Sequence, residues 1–154
     1  MKRLLIASAF ALCATTTSAH DFTVGDLVIA HPMSFATAET ARVGAGYFEV
    51  TNNGDATDTL IGVSADFPRV EVHKSFMDGD VARMMHMEDG VEIAPGETLS
   101  FAPGGFHIMF MGLQSPLMIG ETIDATLTFE NAGDVAIVFN IEERTDAAMD
   151  HSNH

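Results

Sequence analysis

Between Val70 and Met111 the chain holds three histidines, six methionines and no cysteine. Met84 follows His73 after ten residues, and His107 and Met109 stand just behind the turn Pro103-Gly104-Gly105. Imidazole with thioether is a donor set for soft and borderline metals, copper(I) foremost. A thioether has no proton to lose and forms no disulfide, so such ligands work in an oxidising compartment where a thiolate pair would be oxidised. Singly, each residue has a plainer reading. A methionine in a strand is usually core filler and a strand histidine a solvated or hydrogen-bonded residue. Their conjunction in a cysteine-free stretch points to copper.

The elements that must position these side chains read as β throughout. From Phe22 onward, short runs rich in Val, Ile, Phe and Thr alternate with Gly, Asn, Asp and Pro clusters. Strands are expected near Leu27–Ala30, Gly46–Asn52, Thr59–Ala65, Arg69–Phe76, Val81–Met84, Thr98–Phe101, Phe106–Gly112, Thr122–Phe129 and Val135–Glu142, with one helical turn within Ser34–Ala41. Strands at this spacing predict a single all-β domain, a Greek-key β-sandwich or barrel. Alternate side chains of a strand face the same way. Phe106, Ile108 and Phe110 therefore form a core face, and His107, Met109 and Met111 the opposite one, with His107 and Met109 roughly 7 Å apart at Cα. The same alternation sets Glu71 and His73 opposite Val70 and Val72, leaving His73 available at a surface.

The 154 residues begin with Met1-Lys2-Arg3, an apolar run from Leu4 to Ala14 and then Thr15-Thr16-Thr17-Ser18-Ala19. This is the pattern of a secretory signal peptide cleaved after Ala19, with an apolar run too short to be a permanent span. Residues 1–19 are thus expected to be removed, 20–143 to form the β-domain, and 144–154 to be a polar tail carrying Met149, His151 and His154. The one cysteine, Cys13, lies in the leader, and Leu12 before it is a poor fit to a lipoprotein site. Loss of Lys2 and Arg3 leaves five of the seven basic residues against 22 acidic ones, a formal charge of −17. Such a surface disfavours nucleic acid and anionic membrane and favours a cation or a basic partner.

The stretch resembles the His-x10-Met-x21-His-x-Met motif of the periplasmic PCu(A)C copper chaperones. His73 and Met84 match the first spacing and His107 and Met109 the last, whereas 22 residues separate Met84 from His107. The resemblance extends over Gly44–Ala65, Gly104-Gly105-Phe106-His107 and Met111-Gly112-Leu113. It implies a cupredoxin-like domain binding copper(I) through His73, Met84, His107 and Met109. Met84 is favoured because Val81-Ala82-Arg83-Met84 aligns with the family's valine-x-arginine-methionine strand. Met85 is the alternate, should a bulge at Met85–Met87 take up the extra residue. The resemblance further implies a periplasmic carrier that is not an enzyme. Its acceptor would be a protein of the assembly route for the binuclear copper centre of cytochrome c oxidase, or another periplasmic copper chaperone.

Auxiliary roles are open to His20, His86, Met111, His151 and His154, and Met77 and Met87 read more simply as an apolar rim. A secondary copper(II) site could use His20, whose free amino group and imidazole form a chelate, or the tail. Two other classes compete. A blue electron-transfer site needs a cysteine thiolate, which no residue after position 13 supplies. A copper-dependent oxidative enzyme built on His20 needs a second histidine near it, by type His31 or His107.

Overall fold

The structure, a computed structural model, describes residues 21–144. The described chain forms eleven strands and no helix: β1 (Phe22–Val24), β2 (Leu27–Phe35), β3 (Val43–Asn52), β4 (Asp58–Ala65), β5 (Arg69–Asp78), β6 (Val81–His86), β7 (Val91–Ile93), β8 (Thr98–Phe101), β9 (Phe106–Met111), β10 (Thr122–Phe129) and β11 (Gly133–Glu142). Period-two patterning accounts for most of them. In β10 and β11, Ile123, Ala125, Leu127 and Phe129 with Val135, Ile137, Phe139 and Ile141 are buried, while their neighbours Thr122, Asp124, Ala136 and Asn140 are exposed.

All strands belong to one mixed sheet, ordered β6-β5-β9-β8-β3-β2-β11-β10-β4-β7, with β1 added on β2 and a further β3–β9 pairing. The β2–β11 and β8–β9 pairs are parallel and the others antiparallel. Although β4 and β5 stand far apart in this order, they touch. The sheet therefore curls over one core, in which Phe139 of β11 meets Phe110 of β9 edge-on at 5.5 Å and tilts against Phe48 of β3 at 6.2 Å. This is the all-β single-domain class expected from the residues. Burying aliphatic and aromatic side chains of this size contributes about 1.5–3 kcal/mol each, so the core needs no covalent staple.

The turns follow their residue types. Asn52 closes one: its Oδ1 accepts from Gly54 N at 2.9 Å and its Nδ2 donates to Ala56 O and Ile93 O. The Asp58 carboxylate holds another by accepting from Asn131 N and Ala132 N.

Two local expectations are corrected. The helical turn within Ser34–Ala41 is absent. β2 instead runs on to Phe35 because it finds partners on both sides, Ser34 pairing with Ile141 and with Gly46. The extended path then continues through Ala36 N to Glu142 O and Thr37 N to Leu117 O. The early strand end expected at Ala30 marks a register shift between Ala30 and Met33. Pro32 has no N–H to donate there, and His31 takes a positive φ of 49°. Finally, β1 and β7 were too short to show a period.

Candidate metal centre

The candidate residues lie on the neighbouring strands β9, β5 and β6. The registers pair His73 with His107 and Glu71 with Met109 across β5–β9, and His73 with His86 and Ser75 with Met84 across β5–β6. Paired residues share a face, so Glu71, His73, Met84, His86, His107 and Met109 all point the same way. Met85 pairs with Lys74, which pairs with Phe106 and lays its ammonium over that ring at 4.9 Å. That is the opposite face. No register shift occurs in β6, and Met87 N continues the ladder to Val72 O at 2.9 Å. The bulge that would have exchanged Met84 for Met85 is not formed.

The opposite side of β9 is locked into the core. Ile108 and Phe110 are wholly buried, and a Cβ on Gly46 of β3 would come within 2.8 Å of Phe139 and 3.0 Å of Phe110. With that face fixed, His107 has one direction to take. It is 5% exposed, buried between its neighbours. His73, expected to be available at a surface, is instead largely covered, with its side chain 14% exposed. Met84, on the edge strand, stays 50% exposed.

Hydrogen bonds fix which nitrogen of each imidazole is free. His107 Nδ1 lies 3.1 Å from Gly105 O. A carbonyl only accepts, so Nδ1 carries the proton and Nε2 keeps its lone pair. The same carbonyl accepts from Ser75 N at 3.0 Å, tying the Pro103-Gly104-Gly105 turn to β5. Gly104 has φ +84° there, a conformation glycine adopts without a Cβ penalty. His73 Nε2 lies 2.7 Å from Glu71 Oε2. Donation from His73, together with Arg69 bonded to Oε1, holds the Glu71 carboxyl below its ordinary value of 4.5. An ionised carboxylate only accepts, so the His73 proton sits on Nε2. His73 Nδ1 is left buried and without a hydrogen-bond partner, the one such side-chain atom among the described residues. Imidazoles that ligate metals characteristically donate their other N–H to a carboxylate or carbonyl. Both histidines here are arranged so.

The rings of His73 and His107 lie 6.0 Å apart between centroids, inclined at 41°. Desolvation by burial holds His107 below its ordinary value of 6.5, and the neighbouring His73 adds to this, against the Gly105 hydrogen bond. A neutral imidazole, the metal-binding form, is thereby favoured. Met84, His107 and Met109 line one cleft of about 270 Å³, together with Phe35, Tyr47 and Arg144. The Phe35 and Tyr47 rings pack at 5.7 Å, and the Arg144 guanidinium stands 5.0 Å over Phe35. Among the described residues no three His, Cys, Asp or Glu side chains form a metal site of their own. The thioethers of Met84 and Met109 stand on the same face as His73 and His107.

The auxiliary candidates scatter. His86 stacks on His73, with centroids 5.4 Å apart. Met111 pairs with Arg69 at the far end of β9, Met77 is 64% exposed near the hairpin tip, and Met87 packs against the core. His31 sits on the bulge, 3.6 Å from Glu142. Cys13, His20, Met149, His151 and His154 lie outside the described residues. Sequence reasoning passed over Tyr47, Phe35 and Arg144, which come from distant segments. The signal for Glu71 was present, two residues before His73 on the same face.

Residues 27–141 match the family described as putative lipoprotein LpqE-like. The chain belongs to this family. It is 31% identical over 100 residues to a putative lipoprotein of Leifsonia xyli subsp. xyli, a match covering 64% of this chain and 60% of that relative. Among solved structures, the apo PCuAC domain from PmoF1 superposes with a TM-score of 0.69 at 28% identity, covering 81% of this chain and all of that one. The copper-bound PCuAC domain from PmoF2 gives 0.67 at 32% identity, covering 81% and 99%. The copper(I) form of DR1885 from Deinococcus radiodurans, at 24% identity and a TM-score of 0.61 with 87% and 88% covered, shares the fold.

Proposed function

We propose that this protein is a periplasmic copper carrier without catalytic activity, holding copper(I) through His73, Met84, His107 and Met109 and passing it to an accepting protein. The observation that carries the reading is the buried, unpartnered Nδ1 of His73, a residue paired in register with His107. A buried polar atom left without a partner is costly, and a bound cation would satisfy it. The copper-bound state of the PmoF2 domain, 32% identical to this chain, supports the choice of metal. Two neutral imidazoles and two thioethers suit copper(I) better than zinc(II), which favours thiolate, imidazole and carboxylate.

Release follows from the same arrangement. Met84 is half-exposed on an edge strand, so an incoming donor can replace it first, while His107 and Met109 still hold the ion. The cleft at Met84 has room for one side chain from a partner and not for a large cofactor. The strongly acidic chain selects a partner with a basic surface. We assign delivery to the assembly of the binuclear copper centre of cytochrome c oxidase, directly or through a second periplasmic chaperone. The test is anaerobic competition between copper(I) and zinc(II) on the secreted chain. One copper(I) held in preference to zinc(II) is expected, and zinc(II) held as tightly at this site would remove the carrier reading.

A further inference from the structure

The edge hairpin leaves one thioether of the metal face open to oxidants. Met84 is 50% exposed, and Met85, its neighbour on the opposite face, 49%. Met109, by contrast, lies part-buried in mid-sheet, paired with Ala45 on one side and Glu71 on the other. The chain's one cysteine is Cys13, so thioethers supply all the sulfur among the described residues. Every residue of β6 is exposed, and Met84 is not among the side chains packed in or against the core. A chemical change at its sulfur therefore alters the metal face and leaves the core packing alone. Oxidation to methionine sulfoxide is such a change, reversible and strongly polarising. The sulfoxide presents a hard oxygen where copper(I) prefers a soft sulfur.

We propose that Met84 is an oxidation switch on the empty carrier: hydrogen peroxide converts its thioether to the sulfoxide and blocks loading, whereas bound copper(I) protects it. The inference rests on the carrier reading, since it takes Met84 as a ligand. The Met84 sulfur attacks one peroxide oxygen, and the S–O bond forms as the O–O bond breaks. The departing hydroxide takes the proton from the transferred oxygen and leaves as water. Sulfur gives up two electrons and the peroxide accepts them. Coordination to copper(I) draws on the same sulfur electron density that this attack requires, so a loaded site resists. Attack also needs the oxidant to reach the sulfur, which places half-exposed Met84 ahead of Met109. Met85 is as open as Met84 but faces away from the site. It reacts whether or not the ion is present, and so provides an internal reference one residue away.

The experiment exposes the metal-free protein to hydrogen peroxide, removes the excess with catalase and maps sulfoxides by mass spectrometry of peptides. Anaerobic copper(I) affinity is then measured by chelator competition on wild type, Met84→Leu and Met85→Leu. Met84 and Met85 are expected to oxidise together and ahead of Met109. Affinity should fall at least about tenfold in wild type and Met85→Leu, no less than loss of an outer-shell partner causes. In Met84→Leu it should stay at its already lowered level. Methionine sulfoxide reductases, one for each sulfoxide epimer, should restore wild type. A parallel sample is loaded with silver(I), a soft cation of the same charge that peroxide leaves unchanged. There Met84 should stay reduced while Met85 oxidises as before. Met84 oxidised without loss of copper(I) affinity would overturn the inference, as would equal oxidation of Met84 and Met85 in the loaded protein. Met84 left reduced in the metal-free protein while Met85 oxidises would overturn it too. Untreated wild type that binds no copper(I) would instead remove the carrier reading, and the switch with it.

Discussion

Glu71 and His73, two residues apart on β5, are joined by a hydrogen bond of 2.7 Å that leaves the opposite nitrogen of the imidazole buried and unpartnered. Glu71 thus acts as a positioning residue for His73. Glu71→Ala should free the ring and weaken copper(I) binding by about 10- to 100-fold, the usual cost of losing such a contact. Glu71→Gln, whose side-chain oxygen still accepts, should recover most of that loss. Copper(I) affinities of the two variants by chelator competition decide the point, and equal losses would mean that charge and not orientation matters.

Met84 and Met85 are separated by the register of β6. Met84→Leu should lower copper(I) affinity at least about tenfold while changing stability by less than about 1.5 kcal/mol, as volume-conserving apolar swaps do. Met85→Leu, on the Lys74 and Phe106 face, should bind as wild type. Titration of both variants with denaturant melts of the metal-free proteins checks this, and an exchange of the two results would contradict the register.

The metal-free protein should lose stability in acid through His107 and then Glu71. Burial holds His107 below 6.5, so as pH falls under 6.5 the unfolded chain takes up a proton that the folded one declines. Stability drops over the interval down to the folded value. Glu71, held below 4.5, contributes stability above that value and loses it as pH falls further through the folded one. Urea midpoints of wild type and His107→Phe at pH 7 and 5.5 isolate the first effect from the general relief of acidic self-repulsion. The variant should gain on wild type at the lower pH, and a constant difference would contradict the burial argument.

Gly46 of β3, the strand paired beside β9, leaves room for the core rings of Phe139 and Phe110. Gly46→Ala drives a methyl into Phe139 and Phe110 at 2.8 and 3.0 Å and should destabilise the protein by about 1–3 kcal/mol, the range for overpacking. Because Gly46 pairs with Ile108 between His107 and Met109, copper(I) affinity should fall as well. Denaturant unfolding and metal titration of this variant report the two effects separately.

How much of this was legible in the sequence depends on range. The face of β9 that carries His107 and Met109 could be read because alternation is a local property and Ile108 and Phe110 declare the other side. The sequence placed Glu71 beside His73 for the same reason. Two adjacent methionines, by contrast, differ only by pairing register, which is set by β5 and by the ladder from Met87 to Val72. The burial of His107 depends on β3 and β5 flanking its strand, and the cleft walls Phe35, Tyr47 and Arg144 come from β2, β3 and the chain after β11. No spacing rule links those segments. The bulge at His31 hid the second half of β2, because a proline inside a strand reads as its end.

The most direct test of the central claim is X-ray absorption at the copper edge on the copper(I)-loaded protein, compared with His107→Phe. A copper(I) ion with two sulfur and two nitrogen neighbours is expected in wild type, with loss of one nitrogen in the variant. A first shell of nitrogen and oxygen alone, or a spectrum unchanged by His107→Phe, would contradict it.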